Sequence, residues 1–218
     1  MRSEVESGDD VPSPIDLRDP KDARQWAATA EEKRPWRPRL RETIAATLRA
    51  GATAPARVLE LGPGPGWLAE TILRACPVER YTLFDFSLPM LEMSRERLAG
   101  LGPVTFVHGD FRAPGWTDVL PGRFDAIVAM QSVHEIRHKR HFPGLYRQLH
   151  SLLAPGGRLL VCDHSPSPDK GRFNALCATP AEQHAAFQAA GFERLETILE
   201  LERMYICSGR RAGGTPAG

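Results

Sequence analysis

From Ala56 onward the chain alternates short apolar runs with amphipathic ones, the pattern of strands divided by helices. Residues 57–61 (RVLEL) predict a first strand, 80–84 a second, Val104–His108 a third, Phe124–Met130 (FDAIVAM) a fourth and 158–162 a fifth. Between them, residues 67–76, 88–98 with Ser87 as cap, and 142–153 read as helices, the last ending at Pro155-Gly156-Gly157. Thr179, Pro180 and Glu182 supply the cap, first-turn proline and box acid of another helix, which Gly191 stops. The final β-rich runs, 194–201 and 204–208, are so closely connected that they should pair as an antiparallel hairpin. Strands separated by helices imply a mostly parallel sheet covered on both faces. The expected fold is a doubly wound α/β domain with seven strands.

Upstream, residues 22–50 carry a helical pattern interrupted by Pro35 and Pro38, which predicts two helices, near 23–33 and 38–49. The second places Leu40, Ile44, Thr47 and Leu48 on one stripe, and Gly51 is its stop. Residues 1–20 mix acids and serines with Pro12, Pro14 and Pro20 and read as a mobile arm. The expected organisation is that arm, an N-terminal helical lid over 21–55, the sheet domain over 56–209, and a glycine-rich tail over 210–218.

Composition narrows the function classes. In 218 residues, 28 Lys and Arg stand against 27 Asp and Glu, a net charge of +1 that argues against a nucleic-acid binder. The longest apolar runs fall short of the ~18–20 residues of a membrane span, and MRSEVESGDD has no apolar core for a signal peptide. Cys76, Cys162, Cys177 and Cys207 form no CxxC pair and read as thiols in a reducing cytoplasm. Nothing here sets the oligomeric state.

The candidate chemistry begins where RVLEL runs into Gly62-Pro63-Gly64-Pro65-Gly66, just before the helix at Trp67. Such a turn lets backbone approach a nucleotide-like ligand. A GxGxxG dinucleotide fingerprint would need glycine where Trp67 stands, and a Walker loop would need a lysine after its last glycine. Glu60, next to the loop, suits a ligand carrying a cation rather than a pyrophosphate. Asp85, at the tip of the second strand, can accept from both hydroxyls of a ribose. The third strand ends in His108-Gly109-Asp110-Phe111, offering a further carboxylate and an aromatic ring.

In order and spacing, ExGxGxG (Glu60 to Gly66), FDFSLPML, VTFVHGDF, FDAIVAM and LAPGGRLLVCD resemble the class I S-adenosylmethionine-dependent methyltransferases, over about residues 56 to 209. The resemblance implies a Rossmann-like sheet and S-adenosylmethionine as cofactor. By position it implies that Glu60 and the backbone of Gly62, Pro63, Gly64 and Gly66 hold the methionine end. Asp85 would bind the ribose, Phe86 and Met90 flank the adenine, Asp110 accept from its amino group, and Phe111 pack on its ring. Met130 and Gln131 would pass close to the methionyl group. No [DN]PP[YFW] follows the fourth strand, where AMQSV stands, and no Pro-Cys pair serves cytosine chemistry. The expected acceptor is therefore a small molecule. Two alternatives stay open: use of the same cofactor for cyclisation or aminopropyl-type transfer, releasing methylthioadenosine, and a non-catalytic cofactor-binding protein. A dehydrogenase is the weakest reading.

Residues 134–138 spell HExxH, a zinc pattern when it lies on a helix. Arg137 and Lys139 beside the imidazoles oppose a dication, and His141 stands where an extended motif wants glycine, so no metal is expected. His134 is instead a candidate general base or an acceptor-orienting group. His164, after the fifth strand, and Trp26 are candidate acceptor contacts, and Trp26 or Trp67 could face the sulfonium.

Overall fold

The computed structural model describes residues 10–51, 54 and 56–213. Two helices, α1 (Pro20–Ala30) and α2 (Arg37–Gly51), precede the sheet domain. There follow β1 (Ala56–Leu61), α3 (Trp67–Ala75), β2 (Val78–Asp85), α4 (Leu88–Arg97) and β3 (Val104–His108). The chain continues through β4 (Phe124–Met130), α5 (Phe142–Leu152), β5 (Leu153–His164), α6 (Pro180–Ala189), β6 (Glu193–Leu201) and β7 (Met204–Arg210). One seven-stranded sheet results, in the order β3-β2-β1-β4-β5-β7-β6, with β7 antiparallel to both of its neighbours. The order reverses between β1 and β4, and a crevice at a sheet's carboxyl edge opens at such a switch point.

Period-two alternation sorts the core into two layers. Leu59, Leu61, Ile127, Ala129, Leu159 and Val161 face the side of Phe142, Tyr146 and Phe187. Val58, Ala126, Val128 and Leu160 face Leu40, Ile44, Leu68 and Ile72 of α2 and α3. Glu60 shares the parity of Val58, so the only acid of β1 is aimed beneath α2 and α3.

The expected fold class is observed, including the hairpin, which turns through Glu202 and Arg203 at φ 51° and 59°. Ser87 caps α4 by accepting from the Met90 amide at 3.2 Å, and the Thr179–Glu182 box caps α6. Two elements differ from expectation. α1 starts at Pro20 because Asp19 accepts from the amides of Lys21 and Asp22, a cap followed by a first-position proline. β5 starts at Leu153, pairs there with Phe124, and resumes opposite Ala126 at Arg158, so the Pro155-Gly156-Gly157 turn lies inside the strand.

The arm is placed differently too. Residues 1–9 lie outside the described residues, but 10–19 form a strap packed on the domain. Val11 is buried, exchanging bonds with the Arg137 carbonyl and guanidinium, and Ser87 Oγ donates to the Leu17 carbonyl at 2.5 Å. Of the expected tail, Arg210 completes β7 and the Arg211 amide donates to the Gly157 carbonyl at 2.9 Å, while 214–218 lie outside the described residues.

Candidate functional site

A cavity opens at the carboxyl ends of β1, β2 and β4, enclosed by the strap, α1 and the start of α2. The glycines divide their work. A Cβ on Gly62 (φ +62°) would lie 2.5 Å from that of Ser132, whose hydroxyl donates to the Leu61 carbonyl at 2.6 Å. Gly66 (φ +83°) is the N-cap of α3, pressed on Ser94, and does not line the cavity. Gly64 (φ +55°) does line it, and a Cβ there would meet only Trp26, at 3.9 Å. Gly62 and Pro63 also reach the cavity wall.

Two buried carboxyls face this loop. Glu60 is 1% exposed and accepts from the Tyr81 hydroxyl at 2.7 Å. Burial pushes its pKa up to about 8, against the pull of that hydrogen bond, and the nearby Asp85 adds to the rise. Asp85, 5% exposed, accepts from the Gly64 amide at 3.2 Å and the Ser87 amide at 2.9 Å, and burial pushes it to about 7. Both line the cavity.

Asp110 does not. Its carboxylate is taken by Arg112, through contacts of 2.7 to 3.2 Å, and by Arg18 of the strap at 3.3 Å. Partial burial would raise its pKa, but the Arg112 pair prevails and holds it low. Phe86, Met90 and Phe111 form an apolar wall beside Asp85, joined by Ile15 and Leu17 of the strap, and the Arg18 guanidinium lies 4.7 Å over the Phe86 ring.

Across the switch point lie Met130, Gln131, His134 and His164. Gln131 has φ 56°, a rare conformation for its residue type, secured by its amide donating to the Cys162 carbonyl at 2.7 Å. Its side-chain oxygen accepts from Arg37 Nε at 2.5 Å, which fixes its nitrogen toward His164 Nε2 at 3.0 Å. His164 therefore accepts on Nε2 and is neutral; burial drives its pKa down to about 3. His134 Nδ1 lies 2.8 Å from Asp163 and Nε2 lies 3.4 Å from Glu135. Burial disfavours its charged form, yet the two carboxylates override this and raise its pKa to about 10. In this arrangement the imidazole carries a proton and donates.

HExxH does not form a helix face. Val133–Ile136 is a single 3-10 turn, and Arg137 follows at φ 73°. Among the described residues no group of three or more His, Cys, Asp or Glu side chains is arranged to hold a metal ion. Nor is any helix among them long and apolar enough to cross a membrane.

The sequence reading missed Arg34, Arg37 and Arg41, which line the cavity beside Trp26 and Trp67. Arg37 lies over the Trp26 ring at 5.2 Å and Arg41 over Trp67 at 6.0 Å. A signal was present: Arg37 and Arg41 are four residues apart on the stripe of Leu40 and Ile44, the face that α2 buries.

A family model described as a methyltransferase domain matches residues 30–199. The chain belongs to that methyltransferase family. It is 34% identical over 124 residues to a demethylmenaquinone methyltransferase of Thermus thermophilus, covering 56% of this chain and 53% of that one. It is also 33% identical over 157 residues to a malonyl-[acyl-carrier protein] O-methyltransferase of Chlorobium luteolum, covering 69% and 56%. The chain spans about half the length of the first curated relatives it matches. Its fold resembles that of human N-acetylserotonin methyltransferase in complex with SAM, with a TM-score of 0.67, 20% identity, and 90% of this chain and 57% of that one covered.

Proposed function

We propose that the protein transfers a methyl group from S-adenosylmethionine to a small-molecule acceptor. The observation that carries this reading is the pairing of buried Glu60 and Asp85 around a glycine, Gly64, that opens onto the cavity. That donor set fits the cofactor: an acid that can ionise beside a cation, a carboxylate with lone pairs left for two hydroxyls, and an apolar wall for a purine. When bound, S-adenosylmethionine supplies an electrophilic methyl group whose transfer neutralises its sulfonium.

The chain's own residues bind, align and dry the site. Glu60 and the loop 62–64 hold the methionine end, Asp85 the ribose, and Phe86, Met90 and Phe111 the adenine. Asp110 serves instead to fasten the strap over that edge through Arg18. Gln131 and Met130 separate cofactor from acceptor, while α1 and α2 act as a lid bearing Trp26. His134, held charged between Asp163 and Glu135, faces the acceptor side as a fixed cation rather than acting as its base. The free cysteines and the near-neutral net charge support a cytoplasmic enzyme acting on a metabolite rather than on nucleic acid.

Titration with S-adenosylhomocysteine by calorimetry tests the reading. Wild-type protein should bind in the micromolar range, and Asp85→Ala should weaken binding by roughly 1–3 kcal/mol, the loss of hydrogen bonds to a charged group. Absence of binding by the wild type refutes the reading. Methylthioadenosine, rather than S-adenosylhomocysteine, as the product of turnover would replace methyl transfer by attack on the aminobutyryl chain.

A further inference from the structure

The three cavity arginines have no part in the cofactor site as described, and their placement points to the acceptor. We infer that the acceptor is a small polycarboxylic acid, one carboxylate anchored by Arg34 and Arg37 while another takes the methyl group. This rests on the methyl-transfer reading and extends it to a substrate class.

Glu31 is the carboxylate set against these arginines, and Arg41 takes it in a two-pronged pair at 3.0 and 2.7 Å. Arg37 Nη1 stands 3.8 Å from the same Glu31, too far for a hydrogen bond, and is buried without a hydrogen-bond partner among the described residues. Its side chain is only 4% exposed. Arg34 lines the cavity with no ion pair among the described residues, and burial alone lowers its pKa. A charged donor kept dry and incomplete, Arg37 Nη1, with the half-buried guanidinium of Arg34 on the same cavity wall, implies a ligand that completes them. Planar carboxylate oxygens match the guanidinium fork.

Position separates this anchor from the cofactor. Arg37 is tied through Gln131 to His164, at the ends of β4 and β5, whereas Arg41 lies over Trp67 on the side of Glu60 and the glycine loop. Arg37 thus stands on the β4–β5 side of the cavity, and Arg34 is on the same side, close enough for its charge to help hold the His164 pKa down.

Proton inventory gives the reacting group. His134 already carries a proton between Asp163 and Glu135, and the His164 acceptor nitrogen is occupied by Gln131. An alcohol or ammonium acceptor would find no free base on this wall. A carboxylate needs none. Its oxygen forms the new O–C bond as the C–S bond breaks, the electron pair stays on sulfur, anion and sulfonium both become neutral, and no proton is released.

The experiment uses the full chain saturated with S-adenosylhomocysteine, titrated by calorimetry with succinate, glutarate and citrate and with their amides. At least one acid binds while its amide does not, and Arg34→Gln weakens that acid tenfold or more, leaving S-adenosylhomocysteine affinity unchanged. Turnover of the bound acid with methyl-labelled cofactor yields label that alkali releases as methanol. Arg37→Lys retains charge but not the fork, and weakens the acid likewise; should it fail to fold, Arg34→Gln carries the test alone. The inference is overturned if no acid outbinds its amide, if the label is alkali-stable, or if Arg34→Gln costs the cofactor analogue as much as the acid. Failure of wild-type protein to bind S-adenosylhomocysteine would instead overturn the cofactor reading.

Discussion

His134 lies between Asp163 and Glu135, with 20% of its side chain exposed, so water screens part of the attraction but a carboxylate still meets each ring nitrogen. A base must be neutral at working pH, and this imidazole is held charged until about pH 10. Nitrogen NMR of the labelled ring should therefore show it protonated at pH 8, while in Asp163→Asn it loses its proton well below that of the wild type. A wild-type ring neutral at pH 8 would restore the general-base role. Glu60 and Asp85 could be placed from the sequence because strand ends at a switch point converge, whatever their side chains do. The partners of Asp110 could not be read, since Arg112 and the distant Arg18 claim its carboxylate through loop geometry, although it still lines the adjoining cavity with Phe86 and Phe111. Arg37 was hidden because a charge on a helix reads as solvated, whereas here it stacks on Trp26 and reaches Gln131 across 94 positions of chain.

Among elements, the glycine loop separates packing from binding. Alanine at either Gly62 or Gly64 must enter the left-handed region, at about 1–2 kcal/mol. Gly62→Ala must also push the Ser132 side chain away from a 2.5 Å approach, an overpacking cost of typically 1–3 kcal/mol more. Scanning calorimetry should therefore rank Gly62→Ala as the less stable, with Tm lower than that of Gly64→Ala by roughly 2–12 °C. Calorimetric titration should show Gly64→Ala losing affinity for S-adenosylhomocysteine despite its better stability, because its added methyl enters the cavity. Equal stabilities would contradict this division. Helices and strands of the sheet domain were readable because cap residues and apolar periodicity act locally. The strap was not: a proline-rich acidic stretch lacks any periodicity, and what orders residues 10–19 is docking onto Arg137, Ser87 and Asp110. β5 was read short because the bulge that absorbs Pro155-Gly156-Gly157 is stabilised by β4 and by the end of the chain, not by its own sequence.

At the scale of the whole molecule, the site puts folding and binding in opposition through protons. Glu60 at about 8, Asp85 at about 7 and His134 at about 10 all lie above their unfolded values, so the folded protein binds more protons than the unfolded chain. Each contribution is complete below the group's unfolded pKa and is lost as pH rises through its folded one. For the two acids that window runs from about 4 to about 8, and for His134 from about 6.5 to about 10. Asp163 and Glu135, held low chiefly by His134 once the cost of burial is overcome, and His164, driven down to about 3 by burial, act with the opposite sign and lose their contribution on acidification. The ligand-free protein should therefore lose Tm steadily between pH 6 and 9. S-adenosylhomocysteine reverses the preference at Glu60 and Asp85, because its ammonium group and ribose hydroxyls favour the ionised acids. Binding then expels protons near neutrality and tightens as pH climbs toward 8, so the stabilisation by ligand grows where the free protein weakens. Calorimetry in buffers of different ionisation enthalpy reads the released protons directly, and Asp85→Asn should remove the part that titrates near 7. Binding without proton release, or affinity that falls from pH 6 to 8, would mean that neither carboxyl meets the ligand as an anion.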